Sequence, residues 1–461
     1  MPAIPTRYAL SRRQWLAALA ACALSPHTGS AAAALAAAPV TMAALPLRDR
    51  TLANGLRVVA LSDRSIATAA VQVWYRVGSK DDPPGRSGFA HLFEHLMFKG
   101  TQHMQPEMFD RLTEDVGGVN NAFTADDATA YQSEVPSNHL ERLLWAEAER
   151  MASLRVDQPN FDSERKVVQE EYRLRVLADP YGRFFNELVR QGYERHPYKR
   201  PGIGNIDELN AATLDDVRAF HATFYRPDNA CLVVAGDFEP AQLDTWVDRL
   251  FGPIPRPATA IPRVTVQEPR RTAARRARLE APNVPLPAVA LLWQGPPAAD
   301  ADAPALKVAA ALLAGGESSR LNQALVYRAQ SAQQAGFDVS LNADAGMLVA
   351  YAIAAAGQKL ERLERQLLDE IGRLAHGAIA AAEIDKVRTQ LLTATLVGRQ
   401  TPAGRADAIG WAIALNGDPA YADGELARLQ AVTAADVQRV LRTRVLETYR
   451  VSLTYTQEGG A

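Results

Sequence analysis

The sequence predicts an α+β fold with two homologous domains, each a mixed β-sheet covered by helices, and a linker between them. Short alternating apolar runs typical of strands occur beside longer runs with helical spacing. The segment 209–217 is echoed at 429–437, 220 residues later, which indicates an internal repeat. Residues 253–282 carry repeated prolines and arginines with little periodicity, and this composition is typical of a connection.

Length and composition limit the classes of protein to be considered. The chain has 461 residues, too many for one ordinary core and suited to two domains of about 200 residues each once a leader is removed. Apolar residues make up 48% and charged residues 22%, as in soluble globular proteins. The formal net charge of −2 argues against a nucleic-acid partner. No run of about 20 apolar residues follows the leader, so no transmembrane span is expected.

Residues 1–40 are expected to be an export leader, which places the mature chain in the periplasm. Arg12 and Arg13 belong to a basic region that precedes the apolar run 15–24 and an alanine-rich tail. The adjacent arginines favour the twin-arginine route, and an ordinary secretory signal is the alternative. Cys22 ends a short motif that resembles a lipoprotein cleavage box, so lipid anchoring there competes with cleavage in the tail.

The elements of the first domain, residues 45–252, can be read in order. Asn54-Gly55 predicts a hairpin with a two-residue turn, and the alternation through residues 71–77 predicts the next strand. Helical stretches follow to about residue 225, interrupted by a strand-like segment at 121–135. The apolar run 230–235 predicts a closing strand, within which Cys231 is expected to be a buried thiol.

The repeat divides the rest of the chain. Thr213 and its counterpart Thr433 are each predicted to cap a helix that leads into a closing strand, 230–235 in one half and 449–455 in the other. We therefore expect 253–282 to be the linker and the start of the second domain. That domain continues through residues 283–456.

A metal-binding pattern lies on a predicted helix in the first domain. His91 and His95 are four residues apart, so their rings lie on one helical face and can bind one metal ion. Glu94 lies beside that face, where it can reach a water molecule without being a ligand. The order H-x-x-E-H is the inverse of the common zinc-protease motif.

Zinc in a catalytic site needs a third protein ligand. The best candidates lie on the helix-like run 161–172, where Glu164 and Glu171 share a face because they are seven residues apart. Glu170 points about 100° away from that face. Spacing alone does not distinguish this run from a solvated acidic helix.

These motifs together resemble the pitrilysin/insulinase family of zinc peptidases, in its bacterial and mitochondrial-processing-peptidase-like branch. Glu171 follows the His91–His95 motif by 76 residues, within Glu164-Arg-x-Val-Val-x-Glu-Glu171. Further similar segments lie at residues 117–124, 196–198 and 315–321. The resemblance covers nearly the whole mature chain.

The resemblance implies a zinc endopeptidase that acts on extended or unfolded peptides and holds one Zn²⁺ per chain. It implies that His91, His95 and Glu171 bind zinc, that Glu94 is the general base, and that Glu164 orients a ligand. It also implies an edge strand that binds the substrate backbone, and the alternative is an ordinary buried strand. The residues of that strand are Asn121, Ala122, Phe123 and Thr124.

The second domain departs from the catalytic pattern. Residues 305–314 contain neither His nor Glu, and Leu391 and Leu392 stand near the place equivalent to Glu171. Catalytic members of the family that work alone often carry an Arg and a Tyr seven residues apart in this domain. Arg328 matches the Arg and is either a substrate contact or an ordinary surface residue, but Ala335 stands where the Tyr is expected. We therefore expect a homologous, metal-free partner subunit in a heterodimer, with a homodimer as the alternative.

Two other functions remain as alternatives. One is a non-catalytic partner or scaffold subunit of the same fold, although such subunits usually lose the metal residues that this chain keeps. The other is an exported metal-binding protein without hydrolytic activity. Replacement of Glu94 by Gln separates an enzyme from a simple metal binder.

Overall fold

The computed structural model describes residues 43–459, so the predicted leader and Cys22 lie outside the described residues. The first half of the described chain, residues 43–252, contains a six-stranded sheet of order β1-β2-β6-β3-β5-β4. Its strands are β1 (Arg48–Thr51), β2 (Arg57–Ser62), β3 (Thr68–Tyr75), β4 (Val119–Thr124), β5 (Thr129–Pro136) and β6 (Ala230–Gly236). Only β2 and β6 run parallel to each other. The predicted strand-like segment at 121–135 is a hairpin whose first strand, β4, forms one edge of the sheet.

The predicted hairpin at Asn54-Gly55 is confirmed, but its loop is longer than predicted. Thr51 pairs with Arg57, so five residues and not two connect the strands. The Asn54 side chain donates to the carbonyl oxygens of Phe251 and Ile254 at 2.8 and 2.9 Å. These bonds to a distant segment stabilise the longer loop, and the Asn-Gly dipeptide alone does not predict them.

The second half, residues 275–459, repeats the architecture of the first. Its five-stranded sheet has the order β7-β11-β8-β10-β9, with β7 and β11 parallel and the other pairs antiparallel. Its strands are β7 (Arg275–Ala281), β8 (Ala288–Gly295), β9 (Ala332–Leu341), β10 (Gly346–Ala354) and β11 (Val451–Gln457). The strands β2-β6-β3-β5-β4 have the same order and directions, so the predicted α+β fold of two homologous domains is confirmed.

Helices cover both sheets. The first half contains α1 (Phe89–Leu96), α2 (Met108–Glu114), α3 (Leu140–Ser153), α4 (Gln158–Tyr172), α5 (Gly182–Gly192), α6 (Ile206–Ala211), α7 (Leu214–Phe224) and α8 (Pro240–Phe251). The second contains α9 (Ala303–Ala314), α10 (Leu360–His376), α11 (Ala381–Gly398), α12 (Pro402–Asn416), α13 (Glu425–Ala431) and α14 (Ala434–Leu441). Short π-helical turns follow α4 (Arg173–Ala178), precede β9 (Asn322–Arg328) and follow α14 (Arg442–Leu446).

The two halves exchange one helix each. Phe184 and Leu188 of α5 pack against the second sheet, together with Tyr455 of β11. In return, Ala406 and Ile409 of α12 pack against the first sheet. Each sheet is therefore covered on both faces, which explains why β3 is buried on both of its sides. This reciprocal packing joins the halves through their cores.

The predicted helix caps are confirmed in both halves. The hydroxyl oxygen of Thr213 accepts the N–H of Asp216 at 3.2 Å, and Thr433 accepts the N–H of Asp436 at the same distance. In each case the carboxylate of the aspartate accepts the backbone N–H of the threonine at 3.0 Å. Both helices therefore begin with the same reciprocal capping box.

The connection between the halves runs without a helix or strand from residue 252 to 274. The strand β7 lies within the segment 253–282 that the sequence assigns to the linker and the start of the second domain. Among residues 43–459, no helix combines the length and the apolar character that crossing a membrane requires.

Candidate metal centre

The helix α1 carries the H-x-x-E-H motif and is fixed at its start. Gly88 precedes it with a φ of 95°, a left-handed conformation that favours glycine. The buried carboxylate of Asp82 accepts the N–H groups of Gly88 and Ala90 at 2.6 and 2.9 Å. These bonds satisfy two amides at the start of the helix. They favour the charged form of Asp82, but burial outweighs them and raises its pKa to about 7.

The helix α4 brings the acidic residues to the same place. Asp157 caps it by accepting the N–H of Asn160 at 3.0 Å, with a proline in the first turn. Glu164 and Glu171 lie two turns apart on the side that faces α1. The predicted helix-like run is thus an α-helix that packs against the helix with the H-x-x-E-H motif.

Three side chains converge between these helices. The Oε2 atom of Glu171 lies 3.4 Å from Nε2 of His91 and 3.5 Å from Nε2 of His95. One donor atom from each of the three residues lies within 4.8 Å of the others. Glu170, in contrast, points to solvent and pairs with Arg173. The structure therefore brings together two imidazoles and one carboxylate in a group that could hold a metal ion.

Burial and neighbouring charges shift the pKa values of this group in different directions. Burial, followed by the neighbouring His95 ring, lowers the pKa of His91 to about 4. Burial also opposes the charged form of His95, but its hydrogen bond with Glu164 and the nearby carboxylates outweigh burial and raise its pKa. Burial raises the pKa of Glu94, against the hydrogen bond from Thr124. At neutral pH the His91 ring is uncharged, as a metal ligand must be.

Two cations hold the acidic residues from outside the group. The Oε2 atom of Glu164 lies 3.5 Å from Nδ1 of His95, and its Oε1 atom lies 3.1 Å from Nζ of Lys99. Arg175 pairs with Oε1 of Glu171 at 2.9 Å, which leaves Oε2 facing the two histidines. Lys99 and Arg175 were missed from the sequence. Each lies four residues after a member of the group, a helical spacing that could have indicated them.

Glu94 lies beside the group and is held by the edge strand. Its Oε2 atom accepts the hydroxyl of Thr124 at 2.6 Å. Thr124 ends β4, whose other members Asn121, Ala122 and Phe123 are at least partly exposed. The strand lies at the sheet edge and is not an ordinary buried strand, and the N–H of Ala122 donates to the Asn121 side chain at 2.9 Å. The threonine hydroxyl is a contact that no local sequence pattern predicts.

The second half contributes no metal ligand to this group. Leu391 and Leu392 pack against the second core, as expected for the helix equivalent to α4. Arg328 ends the π-helical turn before β9 and lines a cavity of ≈ 320 Å³ with Glu370 and Arg373. Ala335 is buried within β9. In the described residues no hydrogen bond or ion pair joins Arg328 to the His–His–Glu group.

Two family models match the chain in tandem. The model described as insulinase (peptidase family M16) matches residues 57–205, a range that includes His91, Glu94, His95, Glu164 and Glu171. The model described as the peptidase M16 inactive domain matches residues 211–391, most of which belong to the second half. The boundary between the two models, at residues 205–211, lies within the first half, and the whole metal-binding pattern falls in the first model.

Relatives and solved structures agree with this match. The chain is 33% identical over 340 residues to the zinc protease PqqE of Helicobacter pylori, covering 73% of this chain and 77% of the relative. It is 26% identical over 402 residues to a probable mitochondrial-processing peptidase subunit beta of Arabidopsis thaliana, covering 85% and 75% of the two chains. The crystal structure of a protease from Helicobacter pylori superposes with a TM-score of 0.85 and 29% identity, covering 89% of this chain and 99% of that one. The resemblance in the motifs is thus confirmed, and the chain belongs to the insulinase family of peptidases, family M16.

Proposed function

We propose that the chain is a zinc-dependent endopeptidase whose active site is formed by His91, His95, Glu171 and Glu94. The observation that carries the proposal is the convergence of two imidazole nitrogens on one carboxylate oxygen, with a second carboxylate held beside them. The zinc proteases among the relatives support the same assignment.

The donor set fits zinc. Two ligand atoms at zinc bond lengths of about 2.0–2.2 Å and tetrahedral angles lie about 3.3–3.5 Å apart. The distances of 3.4 and 3.5 Å from the Glu171 oxygen to the two imidazole nitrogens match this spacing. A set of two histidines and one carboxylate leaves a fourth position for water or substrate, as in catalytic zinc sites.

When bound, zinc would supply Lewis-acid polarisation of the scissile carbonyl and would lower the pKa of the attacking water. Glu94 would take the proton of that water on Oε1, because the Thr124 hydroxyl occupies Oε2. Glu164 would accept the Nδ1 proton of His95 and so hold Nε2 of that ring toward the zinc. Arg175 would keep Glu171 in place through its outer oxygen.

The substrate would be an extended peptide segment. The outer backbone face of β4 can add a strand by β-augmentation, and this strand ends at the residue that holds Glu94. Residues 121–124 would then bind the substrate backbone, with side-chain specificity determined elsewhere. Export through the leader would place this activity in the periplasm.

The decisive experiment compares the wild-type chain with a Glu94→Gln variant on an unstructured peptide. Turnover should fall by about 10²–10⁴-fold, the usual loss when a general base is removed. Bound zinc, measured by elemental analysis after dialysis, should stay near one per chain, since Glu94 is not a ligand. Unchanged turnover in the variant, or a wild-type chain that binds no zinc, would overturn the proposal.

A partner subunit is the second part of the proposal. Ala335 offers no hydroxyl to a developing oxyanion, so a metal-free homologue would supply that contact in a heterodimer. The alternative, in which this chain is itself the non-catalytic subunit, is favoured only by the inactive-domain model, which matches mainly the second half. Assays of the purified chain alone test the need for a partner, because full activity as a monomer or homodimer would rule out both that need and the non-catalytic alternative.

A further inference from the structure

A polar cluster lies where a turn of the second half meets a turn of the first half. One turn connects β4 to β5 and carries Asp126 and Asp127, and the other connects β9 to β10. We name it the inter-half cluster, and its members are Ser79, Lys80, Asp126, Asp127, His196, Tyr198, Asn342, Ala343 and Asp344. None of these residues contacts the His–His–Glu group directly.

The β9–β10 turn holds both aspartates of the β4–β5 turn. The side-chain amide of Asn342 donates to Oδ2 of Asp126 at 2.6 Å. The backbone N–H of Ala343 donates to Oδ2 of Asp127 at 2.9 Å. Asp127 is only 6% exposed, so these bonds are shielded from water and from salt.

One cation joins the two halves at the centre of the cluster. Nζ of Lys80 donates to Oδ1 of Asp127 at 2.7 Å and to Oδ2 of Asp344 at 2.8 Å. Each bond involves two charged groups and is therefore stronger than a neutral hydrogen bond. Without Lys80, carboxylates from the two halves would face each other with no charge between them.

The segment His196-Pro197-Tyr198 completes the cluster, although the proposed mechanism assigns it no role. The hydroxyl of Tyr198 donates to Asp127 at 2.5 Å and accepts the backbone N–H of Asp344 at 3.2 Å. The His196 ring packs on the Tyr198 ring with centroids 4.0 Å apart, and Nε2 of His196 lies 3.5 Å from Asp344. Both aromatic side chains are fully buried, so the hydroxyl has a fixed position.

The cluster reaches the proposed active site by two short routes. Thr124, which donates to Glu94, is separated from Asp126 by a single residue. On the other route, Arg200 donates to the backbone carbonyls of Lys80 and Asp82 at 2.7 and 2.5 Å. The carboxylate of Asp82 in turn fixes the start of α1.

We propose that Lys80, Asp127 and Asp344 are positioning residues through which the metal-free half holds β4 and the start of α1 in place. The consequence for catalysis rests on the function proposed above, whereas the consequence for backbone order does not. A displacement of about 1 Å in a catalytic group can cost about 10²-fold in rate. The second half would thus act on the first through hydrogen bonds that end two and three residues after Thr124, which holds Glu94.

The test uses the full chain and two variants of the cluster, Lys80→Met and Asp344→Ala. The control is Asp63→Ala, which removes an ion pair between Asp63 and Arg405 of α12. That pair also joins the two halves, but it touches neither turn. Hydrogen–deuterium exchange of residues 88–92 and 119–124 should become about 10-fold faster in both cluster variants and should stay within twofold in the control. Lys80→Arg should restore protection, because a guanidinium can bridge two carboxylates.

Unchanged exchange in both segments of Lys80→Met and Asp344→Ala would overturn the proposal. If Lys80→Met fails to fold, Asp344→Ala decides, because the Asp344 side chain is 41% exposed and its loss is tolerated more easily. With a peptide substrate, kcat should fall at least fivefold in the cluster variants, with zinc content and KM within twofold of wild type. A chain that lacks peptidase activity both alone and with a homologous metal-free partner would contradict the proposed function and leave the exchange comparison standing.

Discussion

Five strands of the first half share their order and pairing directions with the five strands of the second, yet only the first half carries the His–His–Glu group. Positions 220 residues after His91 and His95 are Ala311 and Gly315, and the position equivalent to Glu171 is Leu391. The second half forms its sheet and core without any of these polar residues. The fold therefore does not need them, and their presence in the first half is best explained by function.

The largest difference between the halves in the effect of a substitution on zinc binding is expected at Glu171 and Leu391. Glu171→Gln should weaken zinc binding by more than ~100-fold, because replacement of residues that merely orient a ligand already costs ~10–100-fold. The zinc-dependent rise in the thermal midpoint should disappear with it, since a ligand that binds only the folded state stabilises that state. Leu391→Gln should leave both quantities nearly unchanged. One zinc per chain retained by Glu171→Gln after dialysis would contradict the assignment.

A second contrast concerns a buried ion pair in α3. Arg150 donates to both carboxylate oxygens of Glu147 at 2.7 Å, and its guanidinium lies 4.0 Å from the centre of the Phe109 ring. Both charged residues are at most 2% exposed. At the place equivalent to Glu147 the second half has Leu367, which is fully buried in its core. The first half thus keeps a buried charged side chain at Glu147 where the second keeps an apolar one, whereas the counterpart of Arg150 is the charged Glu370.

Arg150→Met should destabilise the chain by about 3–5 kcal/mol, because it leaves the Glu147 carboxyl buried without its partner. Burial already raises the pKa of Glu147, so the variant is expected to carry that group protonated. The double variant Arg150→Met/Glu147→Leu copies the apolar residue of the second half and should recover most of the loss. Chemical denaturation measures both. Equal destabilisation of the single and double variants would show that the pair itself is not the cause.

The exchanged helices provide a third contrast. A Cβ atom at Gly410 of α12 would lie 2.0 Å from the Trp74 ring, and one at Gly192 of α5 would lie 2.1 Å from the sulfur of Met347. The Trp74 ring is fixed, because its Nε1 donates to Gln72 at 2.8 Å and its faces meet two other aromatic rings. Met347 is flexible and can turn away.

Gly410→Ala is therefore expected to cost about 1–3 kcal/mol, even after the better helix propensity of alanine is included. Gly192→Ala should cost less than about 1 kcal/mol. Urea denaturation of the two variants under identical conditions shows which variant loses more stability. A larger loss for Gly192→Ala would show that α5 is packed more rigidly against its sheet than α12.

The sequence predicted what depends on local spacing. The helical face shared by His91 and His95, the run that carries Glu171 and both capping threonines follow from helical periodicity and cap chemistry. The contact from Thr124 to Glu94 joins segments far apart in the chain, and so do the bonds from Asn342 and Ala343 to the β4–β5 turn. No local pattern encodes these contacts. The exchange of α5 and α12 was also missed, because an apolar helical face does not indicate which sheet it will cover.

The smallest expected effect is one that should be equal in the two halves. Thr213 and Thr433 form matching capping boxes, so loss of either hydroxyl removes the same two contacts: the bond accepted from the aspartate N–H and the bond donated to the aspartate carboxylate. Thr213→Ala and Thr433→Ala should each cost about 1 kcal/mol, measured by chemical denaturation. Replacement by serine, which keeps the hydroxyl, should cost only a few tenths of a kcal/mol at either site. A clear difference between the two alanine variants would mean that the duplicated helices differ in tertiary support, because their local contacts are the same.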